Sequence, residues 1–196
     1  MPISPNLEIF LIRHGETVWN HHGRYQGRLD SPLTGRGIEQ ARSCGAILAN
    51  CKVAVDHWHV SPLGRAKQTS EVVRSFGDYP PAQSTDCLAE VSAGSWDGLT
   101  HEEIDAEWPQ ALDDSTQFDW YFRAPDGETY DEAMERVQSW LHGLSGVVVA
   151  VSHGLLSRLI RGRYLGLSKE QALGLSVNQG VVWRMTDGEV ETISDN

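Results

Sequence analysis

The chain has 196 residues, of which 40% are hydrophobic, a length and composition that suit one domain, residues 1–196, built around a single core. A formal net charge of −11 leaves no basic stripe for a nucleic acid or an anionic membrane surface, and no window of about 18 apolar residues is present to span a bilayer. Cys44, Cys51 and Cys87 are odd in number and form no C-x-x-C pair, and Met1 to Glu8 lacks the basic and apolar regions of a secretory signal, so reduced thiols and a cytoplasmic location are expected.

The first predicted element is a strand, Leu7 to Ile12, that runs directly into Arg13 and His14, with Gly15 allowing a tight exit. Open α/β sheets place their chemistry at the carboxyl ends of strands, and here a cation stands beside a nucleophile or base, the pair needed to attack a phosphate. A helix is expected over Thr34 to Ala49, then a strand over Val53 to Val60 ending at Ser61, then a helix over Leu63 to Phe76. Thr100 with Glu103, Thr129 with Glu132, and Ser168 with Gln171 fit capping boxes and mark three more helix starts. The helix from Tyr130 to Leu144 carries Met134, Val137, Trp140 or Leu141, and Leu144 as a core-facing stripe. Val147 to Val151 is apolar without alternation, as a central strand covered on both faces should be, and it leads through His153 into a helix over Gly154 to Leu165. Val181 to Met185 and Glu189 to Ile193, joined by Thr186-Asp187-Gly188, read as a hairpin at the sheet edge. The fold class that follows is α/β: a three-layer sandwich with a mostly parallel central sheet, helices on both faces and a small cap insertion over about 91–145.

Beyond Leu11-Ile12-Arg13-His14-Gly15-Glu16-Thr17, the chain contains Ser61-Pro62-Leu63-Gly64-Arg65-Ala66, Glu90-Val91-Ser92-Ala93-Gly94 and Ser152-His153-Gly154, in that order. The set resembles the signature of the histidine phosphatase superfamily, also called the phosphoglycerate mutase-like family. The resemblance implies a phosphohistidine on His14, phosphate contacts from Arg13, Arg65 and His153, an acidic partner at Glu90, a further phosphate contact at Asn20, and Gln26-Gly27 lining the pocket. The residues themselves suit these tasks. A neutral imidazole at His14 can attack phosphorus, neighbouring arginines disfavour the imidazolium, and the other ring nitrogen needs an acceptor such as a backbone carbonyl. Arg13 and Arg65 offer paired planar donors, Glu90 can pass a proton to the leaving oxygen and then take one from water, and the N–H groups of Gly154 and Leu155 at a helix start can face an anion. The scheme requires no metal and no cofactor, its partner is a small-molecule phosphomonoester, and a homodimer is left open.

Competing readings are weaker. His21-His22 and His57-x-His59 suggest a metal site, but no cysteine or carboxylate with zinc-type spacing accompanies them, and packing accounts for Cys44 and Cys51. From Val91 to Ser152 the only Arg or Lys residues are Arg123 and Arg136, against thirteen Asp and Glu, which disfavours the second anionic group held by a mutase and favours hydrolysis. The same stretch carries Trp96, Trp108, Phe118, Trp120, Tyr121, Phe122 and Tyr130, packing residues that also suggest a neutral or cationic leaving group with apolar or stackable surface. The alternatives are cofactor-dependent phosphoglycerate mutase-type transfer and a non-catalytic module that binds phosphorylated ligands.

Overall fold

The computed structural model describes residue 4, residues 6–115 and residues 119–195. Its frame is a six-stranded sheet. β1 (Glu8–Arg13) and β4 (Val147–Ser152), the two apolar runs, lie side by side and parallel in the middle, buried on both faces. β2 (His57–Val60) pairs in parallel with β4 on one side and with β3 (Ala82–Ser84) on the other. β5 (Val181–Thr186) and β6 (Glu189–Ser194) continue antiparallel beyond β1, giving the order β3-β2-β4-β1-β5-β6. The expected hairpin turn is Asp187-Gly188, with φ of 51° and 78° matching the twist of paired strands.

Alternate residues of the central strands feed two apolar layers. Phe10, Ile12, Val149 and Val151 face α2 (Gly35–Cys51) and α3 (Gly64–Arg74), burying Ala41, Ile47, Leu48 and Val73 with Trp58. Ile9, Leu11, Val148 and Ala150 face α5 (Tyr130–His142) and α6 (Gly154–Leu165), with Trp183 and Met185 of β5 in the same layer. All three expected capping boxes form, at α4 (His101–Glu107), at α5 and at α7 (Lys169–Leu173). Of the α5 stripe, Val137, Trp140 and Leu141 are buried, Leu144 is buried just past the helix end, and Met134 is only partly covered. Between β3 and α5 the chain leaves the sheet as loops and short helices, including turns at Gly94–Trp96 and Asp119–Arg123. Cys44 is buried, Cys51 and Cys87 partly so, and all three are free thiols. Among the described residues no helix is long and apolar enough to cross a membrane.

Three local features differ from the sequence expectation. The strand expected over Val53 to Val60 begins only at His57, because Lys52 ends α2 in the left-handed conformation and Asp56 fastens to Val147 through backbone and side chain at 2.9 and 2.8 Å. Val53 and Val55 pack against the α2/α3 layer without joining the ladder. β3 is a short exposed edge strand of Ala, Gln and Ser, which carries neither β-branched residues nor an apolar alternation. A single turn, α1 (Val18–His21), follows the first motif, capped by Thr17 and closed by Asn20 in the place where Glu or Gln usually stands.

The first motif is held by contact between backbones. A Cβ on Gly15 would lie 2.1 Å from the Gly37 carbonyl oxygen, and a Cβ on Gly37 would lie 2.0 Å from that of Glu16. Gly15→Ala should therefore destabilise the protein by about 2 to 4 kcal/mol, lowering its melting temperature by roughly 5 to 15 °C, because backbone must shift on both sides. Gly35→Ala, in the first turn of α2 with nothing within 4 Å of the new carbon, should change stability by less than about 1 kcal/mol. Thermal melts of the two variants check the contrast, and equal melting temperatures would contradict it.

Candidate active site

The register of β1 against β4 builds the site. Arg13 and Ser152 are paired at the carboxyl ends of these strands, and the His14 N–H donates to the Ser152 carbonyl at 2.9 Å. The next residue in each chain segment is a histidine, so His14 and His153 emerge together, with ring centroids 5.2 Å apart. β2 ends beside them, its Ser61 N–H donating to Val151 O, and Ser61 Oγ lies 2.6 Å from His153 Nε2. α3 then starts and brings in Arg65 from its second position. Three parallel strands thus meet at one crevice, as expected of an open α/β sheet.

His14 is buried with its two nitrogens distinguished. Nδ1 is 2.8 Å from the Gly15 carbonyl, which can only accept, so Nδ1 carries the hydrogen and Nε2 keeps its lone pair. Arg65 Nε donates to that Nε2 at 3.3 Å. Burial, then Arg65, then Arg13 hold the imidazole well below its ordinary pKa, and the neutral ring is the resident form. Burial likewise lowers Arg13 to about 10, still cationic at neutral pH, while its Nη1 donates to Val177 O. Its Nε has no hydrogen-bond partner and lies against Gly154, where a Cβ would come within 3.2 Å. Arg65 is anchored by Gly27 O at 2.8 Å, Leu29 O at 2.6 Å and Asp30 at 3.2 Å. His153 sits beneath the crevice, its pKa held well below the ordinary value by burial and then by Arg65, and its Nδ1 is buried without a partner.

A cavity of about 380 Å³ opens over these groups, and Arg13, His14, Asn20, Gln26, Gly27, Arg65, Glu90, Gly154 and Leu155 all line it. Only His153 of the expected site residues does not reach its wall. Gly27 adopts φ 47°, and a Cβ there would collide with the Asp97 carboxylate, so glycine is required. Glu90 Oε1 accepts the N–H groups of Val91 and Leu156 at 3.0 and 2.9 Å, and Oε2 accepts that of Leu155 at 3.1 Å. Glu90 thereby caps α6, and the Leu155 N–H, expected to contact the phosphate, is instead taken by the Glu90 carboxyl group.

Several participants were absent from the sequence reading. Arg158 lines the cavity, donates through Nε to Leu175 O at 2.6 Å, and lies one helical turn from Gly154, a spacing that could have revealed it. Arg24 and Tyr25 line the mouth, Arg24 gripped by Glu103 at 2.7 and 2.8 Å. Val177 and Gln179 come from a loop with no motif to mark it. Of the described residues of the aromatic set only Tyr121 lines the cavity. Trp96 packs with Trp108 and Trp120 in the core, Phe122 packs on Tyr130, and Phe118 lies outside the described residues. His59 Nδ1 accepts the Trp140 indole N–H at 3.1 Å, so its role is packing.

A family model described as "Histidine phosphatase superfamily (branch 1)" matches residues 9–190. The chain is 35% identical over 191 residues, 92% of its length and 90% of the relative's, to the adenosylcobalamin/alpha-ribazole phosphatase of Escherichia coli K12. It is 34% identical over 178 residues, 82% of this chain and 76% of the relative, to the probable phosphoglycerate mutase GpmB of Salmonella arizonae. The crystal structure of the alpha-ribazole phosphatase from Shigella flexneri superposes with a TM-score of 0.80 at 30% identity, covering 95% of each chain.

The buried neutral histidines make stability depend on pH. The unfolded chain binds a proton on each near pH 6.5 and the folded chain does not, so their contribution is complete above about pH 6.5 and is lost as pH falls toward the lower folded values. Each should add a slope of up to about 1.4 kcal/mol per pH unit in that window. Denaturant midpoints between pH 7.5 and 5.5 should fall more steeply for the wild type than for His14→Asn with His153→Asn; identical slopes would contradict the assignment.

Proposed function

Since the chain belongs to the histidine phosphatase superfamily, we propose that it is a phosphomonoesterase that hydrolyses a small-molecule phosphate ester through a phosphohistidine on His14. The observation that carries this reading is the His14 imidazole, neutral and hydrogen-bonded at Nδ1 to Gly15 O, with its Nε2 lone pair beside Arg65 at the floor of the cavity.

In the first step Nε2 attacks phosphorus and the ester P–O bond breaks. Arg13, Arg65 and the Asn20 amide, all at the cavity wall, offer donors for the phosphoryl oxygens. Glu90 gives its proton to the departing alkoxide. Of its two oxygens Oε2 is the freer to make that transfer, since it accepts one amide N–H where Oε1 accepts two. As the ring becomes cationic, the bond from Nδ1 to Gly15 O strengthens. In the second step the Glu90 carboxylate takes a proton from water, the water oxygen bonds to phosphorus, and the N–P bond breaks to return neutral His14.

Charge supports hydrolysis of a monoester with a neutral alcohol. A phosphate dianion matches Arg13 and Arg65, and Glu103 clamps Arg24 at the cavity wall. The acidic stretch from Val91 to Ser152 opposes a second phosphate. Tyr25 and Tyr121 provide the flat apolar surface at the cavity. The α-ribazole phosphate of the relatives' names is the first substrate to test.

Wild-type protein should release phosphate from p-nitrophenyl phosphate, and His14→Ala should lose at least about 10³-fold in kcat. Glu90→Gln should lower kcat/KM for alkyl phosphates by about 10² to 10⁴-fold and that for p-nitrophenyl phosphate far less, because kcat/KM reports transfer to His14 and p-nitrophenolate leaves without a proton. Equal, negligible rates for wild type and His14→Ala would instead favour a phospholigand-binding module, and a preference for 2,3-bisphosphoglycerate over neutral alcohol phosphates would favour a mutase-type site.

A further inference from the structure

The loop between α7 and β5 supplies one side chain to the back of the site. Gln179 Nε2 donates to the His14 carbonyl at 3.0 Å and to Asn20 Oδ1 at 3.4 Å, using both hydrogens of its amide. Asn20 Oδ1 also accepts the Thr17 N–H at 3.3 Å. Two donors converge on one atom of the Asn20 amide, which makes that atom the oxygen and turns the Asn20 NH2 group toward the cavity that Asn20 lines. The inverted amide would set NH2 against two donors and present an oxygen to an incoming phosphate.

Gln179 can act as a fixed reference because its loop is strapped down. Three arginines, Arg158 and Arg161 buried and Arg13 partly so, donate to three consecutive carbonyls of this loop: Arg158 to Leu175, Arg161 to Ser176 and Arg13 to Val177. Gln179 follows two residues later, and the chain then re-enters the sheet as β5.

We propose that Gln179 is a positioning residue that holds the Asn20 amide with its donors toward the substrate phosphate and ties that amide to the backbone of the nucleophile. The inference rests on the phosphomonoesterase reading, since it takes the anion in the cavity to be phosphate. Without Gln179, a single 3.3 Å bond from Thr17 selects the Asn20 orientation, and part of the population turns its oxygen to the anion.

The test is a double-mutant cycle on the binding of inorganic phosphate, measured by titration calorimetry with intact protein. Gln179→Met, which keeps length and removes both donors, should weaken phosphate about fivefold, and Asn20→Ala about tenfold, the value of roughly one hydrogen bond to a charged group. Gln179→Glu, which keeps shape but only accepts, should weaken it more than Gln179→Met, because its carboxylate draws the Asn20 NH2 away from the cavity. In the Asn20→Ala background Gln179→Met should have no further effect. A merely structural role would give the same penalty in both backgrounds, and that result overturns the proposal, as does unchanged binding in both Gln179 variants. A wild type that binds no phosphate overturns this proposal together with the phosphomonoesterase reading, whereas binding by wild type with an additive cycle overturns the role of Gln179 alone.

Discussion

Guanidinium groups are buried at one end of the sheet in a chain whose net charge is −11, and what makes this possible is the backbone carbonyl. Arg13 is held by Val177, Arg65 by Gly27 and Leu29, Arg158 by Leu175 and Arg161 by Ser176. A carbonyl satisfies a donor without cancelling its charge, whereas a carboxylate does both. The cluster therefore remains hydrogen-bonded and positive together, a local field opposite in sign to that of the whole molecule. Two carboxylates temper it: Asp30 beside Arg65, at the solvent edge, and Glu90, whose oxygens are taken up by amides at the start of α6.

The remaining features of the site follow from that field. Burial, reinforced by the cations around the imidazole, keeps His14 neutral, and the Gly15 carbonyl then decides which nitrogen holds the lone pair. Gly15 can serve because its backbone is pressed against Gly37, so the carbonyl does not wander. His153 is delivered by the same strand register and held by Ser61, leaving Nδ1 as its unpartnered nitrogen. The sheet thus fixes positions, the arginines fix charge, and carbonyls fix the direction in which each polar group points.

The sequence made the frame legible where the signal is local. The unbroken apolar run Val147 to Val151 marked a doubly covered strand, and the residues that end β1 and β4 were found because strand ends carry chemistry in such sheets. Glu90 was found through its motif, but its two amide partners at the start of α6 were not, because they depend on where that helix starts relative to a loop 65 residues away. Gln179 and Val177 gave no signal, since their contacts to His14, Asn20 and Arg13 join positions over 150 residues apart. The aromatic stretch shows the limit of composition: Trp96 packs against Trp108 and Trp120, and of the stretch's described aromatic residues Tyr121 alone lines the cavity. Arg158 shows the converse, a residue that helix spacing from Gly154 would have revealed.

The central claim is that a lone pair on Nε2 of His14 is the nucleophile. Rapid mixing of the protein with a phosphomonoester, quenching in base and locating the phosphoryl group by phosphorus NMR and peptide mapping test it directly. The geometry predicts a base-stable, acid-labile phosphohistidine on His14, bonded through Nε2, that forms and decays at the rate of turnover. Phosphorylation at Nδ1 or on another residue would contradict the account.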